Sequence, residues 1–70
     1  MEVMNLRPDY HKFANLLEER DVTANKVSKD TGVSTAILTY WKTGRSSPKI
    51  DKIQKIADYF GVPIEFFLEE

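Results

Sequence analysis

The sequence contains no cysteine, which excludes both a disulfide framework and a thiolate zinc site as supports for the fold. It has one histidine, His11, with no second histidine or thiol to share a metal or to activate a nucleophile. His11 is expected at the surface. Glycine is scarce, at three residues, and none of the three belongs to a phosphate-cradling loop. Apolar runs are short as well: none approaches the roughly 20 residues of a membrane span, and Met1-Glu2-Val3 does not open an export signal. Strand signals, internal repeats and low-complexity segments are absent. A chain of 70 residues has room for one domain with a modest core and for no enclosed pair of catalytic carboxylates. These absences lead to an expectation of a cytoplasmic, non-enzymatic protein with no metal, no cofactor and no small-molecule ligand.

Helical punctuation fills the space that remains. A first helix is expected from near Pro8, a residue suited to the opening helical position, with Tyr10, Phe13, Leu16 and Leu17 on one face and Glu18 to Asp21 ending it. Thr23 is a good N-cap for a second helix over Ala24 to Thr31, and Gly32 stands where a left-handed residue must close it. Only Val27 and Thr31 give that helix an inward side, so its stability must come from packing. Ser34 caps a third helix running to Thr43, stopped by Gly44. At about 100° per residue, Leu38, Trp41 and Ile37 share one of its faces, while Ala36, Thr39, Tyr40 and Thr43 share the other. Trp41 therefore reads as core. Ser47-Pro48 reads as a cap and first helical residue for a fourth helix that buries Ile50, Ile53, Ile56, Ala57 and Phe60 before Gly61. A fifth, very short helix begins at Pro63 and contributes Ile64, Phe67 and Leu68. The fold class expected is all-α, a compact five-helix domain over residues 8–70 preceded by a tail over 1–7.

The net charge is −1 and the isoelectric point near 5.8, which taken alone argues against a nucleic-acid partner. The charge is unevenly spread. Between Lys26 and Lys55 seven basic residues (Lys26, Lys29, Lys42, Arg45, Lys49, Lys52, Lys55) meet two acidic ones (Asp30, Asp51), for a local balance of +5. The flanks carry −6, with Arg7, Lys12 and Arg20 against nine carboxylates. The chain is a dipole with a basic middle. Three threonines on the third helix, Thr35, Thr39 and Thr43, are poor helix formers whose outward placement has no stability rationale.

Two caps, a turn glycine and a helix-ending glycine, in register with two apolar stripes, make the stretch from Thr23 to Gly44 resemble the helix-turn-helix of the Cro and phage-repressor (XRE-like) family. Pro48, Ile53, Ile56-Ala57, Phe60-Gly61-Val62 and Ile64 to Leu68 extend the likeness to roughly residues 10–68. The resemblance implies a transcriptional regulator that binds double-stranded DNA as a dimer, placing its third helix in the major groove over a nearly palindromic operator. Carried over by position, base-reading sites fall on Ser34, Thr35, Ala36, Thr39 and Tyr40. Backbone-contacting sites fall on Thr23, Ala24, Lys42, Thr43 and Arg45. A dimer seam is expected around Tyr59, Val62, Phe66 and Leu68. The sequence departs from the family at Ala24, where a phosphate-contacting glutamine is usual, and at Ser28, where a packed alanine is usual. Its reading face has no Arg, Gln or Asn for bidentate bonds to guanine or adenine, so hydroxyls, methyls and DNA shape would have to carry its preference. The alternative is a protein-interaction module on the same scaffold, such as an antitoxin-like or accessory regulator. Glu69-Glu70 follows the fifth helix closely, which is compatible with a complete small regulator and with a fragment of a longer repressor.

Overall fold

The computed structural model describes residues 7–68. Of the expected tail only Arg7 falls within them, and Glu69 and Glu70 of the expected domain lie outside. Five helices follow in order: α1 (Tyr10–Arg20), α2 (Ala24–Thr31), α3 (Thr35–Lys42), α4 (Ile50–Phe60) and α5 (Glu65–Leu68).

Asp9, not Pro8, opens α1: its carboxylate accepts the His11 N–H at 2.9 Å. Pro8 has a different task, because its carbonyl accepts the indole N–H of Trp41 at 3.1 Å. The helix ends at Asp21, which adopts the left-handed conformation at φ 57°, and Val22 N–H bonds back to the Leu17 carbonyl at 2.9 Å. Arg20, in the last turn, donates to the Phe60 carbonyl at 3.2 Å and so answers one of the carbonyls left unbonded at the end of α4.

α2 has the predicted bounds and caps, and α3 has the predicted N-cap but ends one residue early, at Lys42 with Thr43 as its C-cap. Thr23 accepts from Lys26 N–H at 3.1 Å and Ser34 from Ile37 N–H at 3.2 Å. Thr31 fixes the turn between them, donating to the Val27 carbonyl at 2.7 Å while accepting from Val33 N–H at 3.2 Å. Val33, the apolar residue of that turn, is fully buried, so the turn is anchored in the core as well as hydrogen-bonded. α2 is further tied to α4 by the Tyr59 hydroxyl, which donates to Asp30 at 2.7 Å. That bond holds the Asp30 carboxyl below its ordinary pKa, with Lys26 adding to the effect, and raises the Tyr59 phenol above its own.

The start of α4 differs from expectation. Its N-cap is Lys49, with no side-chain capping bond, so Ser47 does not cap it and Pro48 precedes it, buried. Ile50, expected in the core, is 59% exposed. It is the first residue of the helix, one turn before Ile53, and Pro48 just ahead of it is buried. Ile53, Ile56, Ala57 and Phe60 are buried as expected. α5 is also shorter than expected, because Pro63 and Ile64 form a turn whose carbonyls accept from Phe66 and Phe67 N–H at 3.0 Å each.

Trp41 lies at the centre of the core. Its ring stacks on Phe13 at 5.1 Å and meets Tyr10 at 5.4 Å and Phe67 at 6.3 Å edge-on, arrangements that favour the ring quadrupoles. One residue of α3 thus ties this helix to α1, α5 and the segment ahead of α1. No helix among the described residues is long and apolar enough to cross a membrane.

Candidate nucleic-acid interface

α3 divides cleanly into two sides. Leu38 and Trp41 are buried and Ile37 half-buried, whereas Ser34, Thr35, Ala36, Thr39, Tyr40, Lys42 and Thr43 are exposed. The five residues expected to read bases therefore share the solvent side of one helix. Within that side Thr35, Thr39 and Lys42 line a shallow groove with Ala24 and Asn25 of α2, which places the first turn of α2 beside the outward side of α3. Tyr40, 43% exposed, is the large aromatic of that face.

The caps also dispose donors outward. Thr23 and Ser34 each use a lone pair to accept a first-turn N–H, which leaves each hydroxyl its proton to donate. Together with the unbonded N–H groups of a helix start, these protons suit a phosphate oxygen. Thr43 is placed differently. Its hydroxyl donates to the Tyr40 carbonyl at 3.3 Å, so the proton that a phosphate would need is already engaged.

Arg45 is held from two directions. Its N–H bonds to the Tyr40 carbonyl at 2.8 Å, and its guanidinium lies 5.5 Å over the Tyr40 ring, a cation–π arrangement that restricts a long side chain without consuming its N–H donors. Ala24 is half-buried and packs against the core, and it brings only its backbone N–H to any contact.

Asn25 escaped the sequence reading because it is one helical position past the site expected on Ala24. Its exposed amide beside Thr35 and Thr39 is a planar group able to donate and accept at once, the bidentate chemistry that the outward side of α3 lacks. Only the packing of α2 against α3 brings it there, and no local pattern announces that.

The expected dimer residues Tyr59, Val62, Phe66 and Leu68 are all half-buried. Tyr59 is turned toward Asp30 of α2, while the Phe66 ring lies under Lys12 of α1 at 5.8 Å and edge-on to Phe67 at 5.3 Å. The two aromatics are thus engaged with different neighbours.

Residues 13–67 match the helix-turn-helix family. The chain is 34% identical, over 53 residues, to the cryptic phage CTXphi transcriptional repressor RstR of Vibrio cholerae, a stretch that covers 76% of this chain and 48% of that protein. The chain spans about half the length of this curated relative. No solved structure matches it.

Proposed function

Because the chain belongs to the Cro and phage-repressor class of helix-turn-helix proteins, we propose that it is a transcriptional repressor that binds double-stranded DNA with α3 in the major groove. The observation that carries this reading is the outward side of α3. Its hydroxyls and methyls are exposed and serve no packing purpose, yet they stand between cap hydroxyls at one end and the cations Lys42 and Arg45 at the other. Thr35, Thr39, Ala36 and Ser34 offer groups that bond either base type or pack on a thymine methyl. Lys42, Arg45 and the Thr23 hydroxyl neutralise or donate to phosphates and fix the register. Ala24 joins them through its N–H, whereas Thr43 would have to release its hydroxyl from the Tyr40 carbonyl before it could donate to a phosphate.

Two copies would present their reading helices to successive major grooves about 34 Å apart on a nearly palindromic site. The seam between them is formed by Val62, Phe66 and Leu68, with Tyr59 at its edge.

Selection from a randomised duplex library at about 50 mM salt, followed by a salt titration of the enriched site, tests the reading. An enriched palindrome whose affinity falls steeply with salt is the expected result. No enrichment and no salt-dependent binding would reject it in favour of a protein partner, a reading that the acidic isoelectric point of 5.8 favours.

A further inference from the structure

We propose that the groove between the segment ahead of α1 and the loop after α3, walled by Arg7 on one side and Arg45 on the other, is a further anion site that takes a backbone phosphate of duplex DNA. This rests on the DNA-binding reading above and adds to it a contact from a part of the chain outside the two-helix motif. Arg7, Asp9 and Trp41 line the groove from one side, and Arg45, Ser46 and Ser47 from the other.

Both walls are fixed by backbone bonds. The segment carrying Arg7 is pinned where the Pro8 carbonyl accepts from the Trp41 indole at 3.1 Å and where Asp9 N–H donates to the Phe67 carbonyl at 2.8 Å. Across the groove, the N–H groups of Arg45 and Ser46 converge on the Tyr40 carbonyl at 2.8 and 3.3 Å, and the Arg45 side chain lies over the Tyr40 ring. The backbone next to Arg7 and the Arg45 side chain are thus both tied to the same helix, through its indole on one side and through its last turn on the other. Holding a binding site this way lowers the entropy lost when a ligand arrives.

The chemistry of the lining selects an anion. Among the described residues no carboxylate pairs with Arg7 or Arg45. The one carboxylate in the groove, Asp9, is engaged in capping α1. The Ser46-Ser47 pair is not explained by local structure, because α4 is capped by Lys49 and not by Ser47. Two guanidinium forks and two hydroxyls suit the oxygens of a phosphodiester. The groove begins directly at the end of α3, so a strand passing the reading helix runs on into it.

The test compares the full-length wild type with Arg7→Ala, Arg7→Lys and Arg45→Ala by fluorescence anisotropy, using the selected duplex and a scrambled one across a salt series. Arg7→Ala is expected to lose about three- to tenfold in affinity for both duplexes at low salt and to reduce the salt slope by about one, leaving the ratio between them unchanged. Arg7→Lys should keep the wild-type slope. Replacing single phosphates by neutral methylphosphonates should reveal one position at which the wild type weakens and Arg7→Ala does not weaken further. Wild-type affinity and slope in Arg7→Ala, alongside a clear loss in Arg45→Ala, would overturn the groove while leaving the DNA-binding reading intact. Absence of any salt-dependent duplex binding by the wild type would instead remove the reading on which the groove depends. Arg7 is exposed, and an unchanged thermal melt of Arg7→Ala separates lost contact from lost fold.

Discussion

Gly32 occupies φ 84°, and a Cβ built there would meet nothing within 4 Å, so its requirement is one of backbone conformation alone. Gly32→Ala should therefore cost about 1–2 kcal/mol, the penalty of a left-handed alanine, read as a lower urea midpoint with an unchanged slope. A loss of several kcal/mol would mean that the turn is held by contacts the geometry does not contain. Asp21 presents the converse case, an L-residue at φ 57° closing α1. Asp21→Gly relieves that strain and should stabilise the fold by a few tenths to about 1 kcal/mol; a lower melting temperature would contradict this. Both positions were readable as helix ends, because glycine and charged residues bound apolar stripes of helical period. That Asp21 itself would be left-handed was not readable, since many residues close helices without leaving the right-handed region.

α4 separates the effect of pattern from that of position. Ile50 and Ile53 lie one turn apart on the same stripe, yet Ile50 is 59% exposed and Ile53 fully buried. Ile53→Ala should cost about 2–5 kcal/mol as a cavity in the core, whereas Ile50→Gln should stay within about 0.5 kcal/mol. Equal losses in chemical denaturation would show that the stripe continues inward to its first residue. Periodicity could not distinguish them, because a helical wheel records direction and not how far the neighbouring helices reach. The Ser47-Pro48 signal failed for a related reason: a serine followed by proline fits a helix start, but here Pro48 is buried ahead of the helix and Lys49 takes the cap position. The second and third helices, by contrast, carried caps and stops that agreed with one another, and the bounds of α2 and α3 were legible almost to the residue. The link between α2 and α4 was not, because Asp30 and Tyr59 are 29 residues apart in the chain. Its pH dependence follows from the signs of the two shifts. Asp30 is lowered, so its contribution is present above its unfolded value of about 3.9 and fades as pH falls through the lower folded value. Tyr59 is raised, so its contribution is present below about 10 and fades as pH climbs through the higher folded value. Tyr59→Phe should melt below the wild type at neutral pH, with the gap closing on the acid side; a constant gap from pH 7 to pH 2 would exclude the bond as its source.

Across the whole molecule, a local balance of +5 between Lys26 and Lys55 is offset by −6 in the flanks. Such a chain has little net attraction to a polyanion at a distance, and its field becomes favourable only on close approach by the basic side, over a screening length of about 8 Å at physiological salt. Arg45→Glu should accordingly weaken binding to every duplex, while Thr35→Ala should mainly reduce the preference for the selected one. Equal loss of affinity and preference from both would dissolve the division between positioning and reading residues. The side of α3 that faces outward was legible in the sequence, since alternation around a helix is a local property. The positions of Asn25 beside Thr39 and of Arg7 across from Arg45 were not, because only the packing of α2 and the pinning of Pro8 bring them there. That pinning also makes the protein its own reporter. Trp41 is the one tryptophan in the chain, and it touches the segment before α1 with its indole N–H while its helix carries the proposed reading face. Its emission will thus register, without any attached dye, whether that segment stays seated when a duplex is added, as the proposed docking on the other side of the same helix requires.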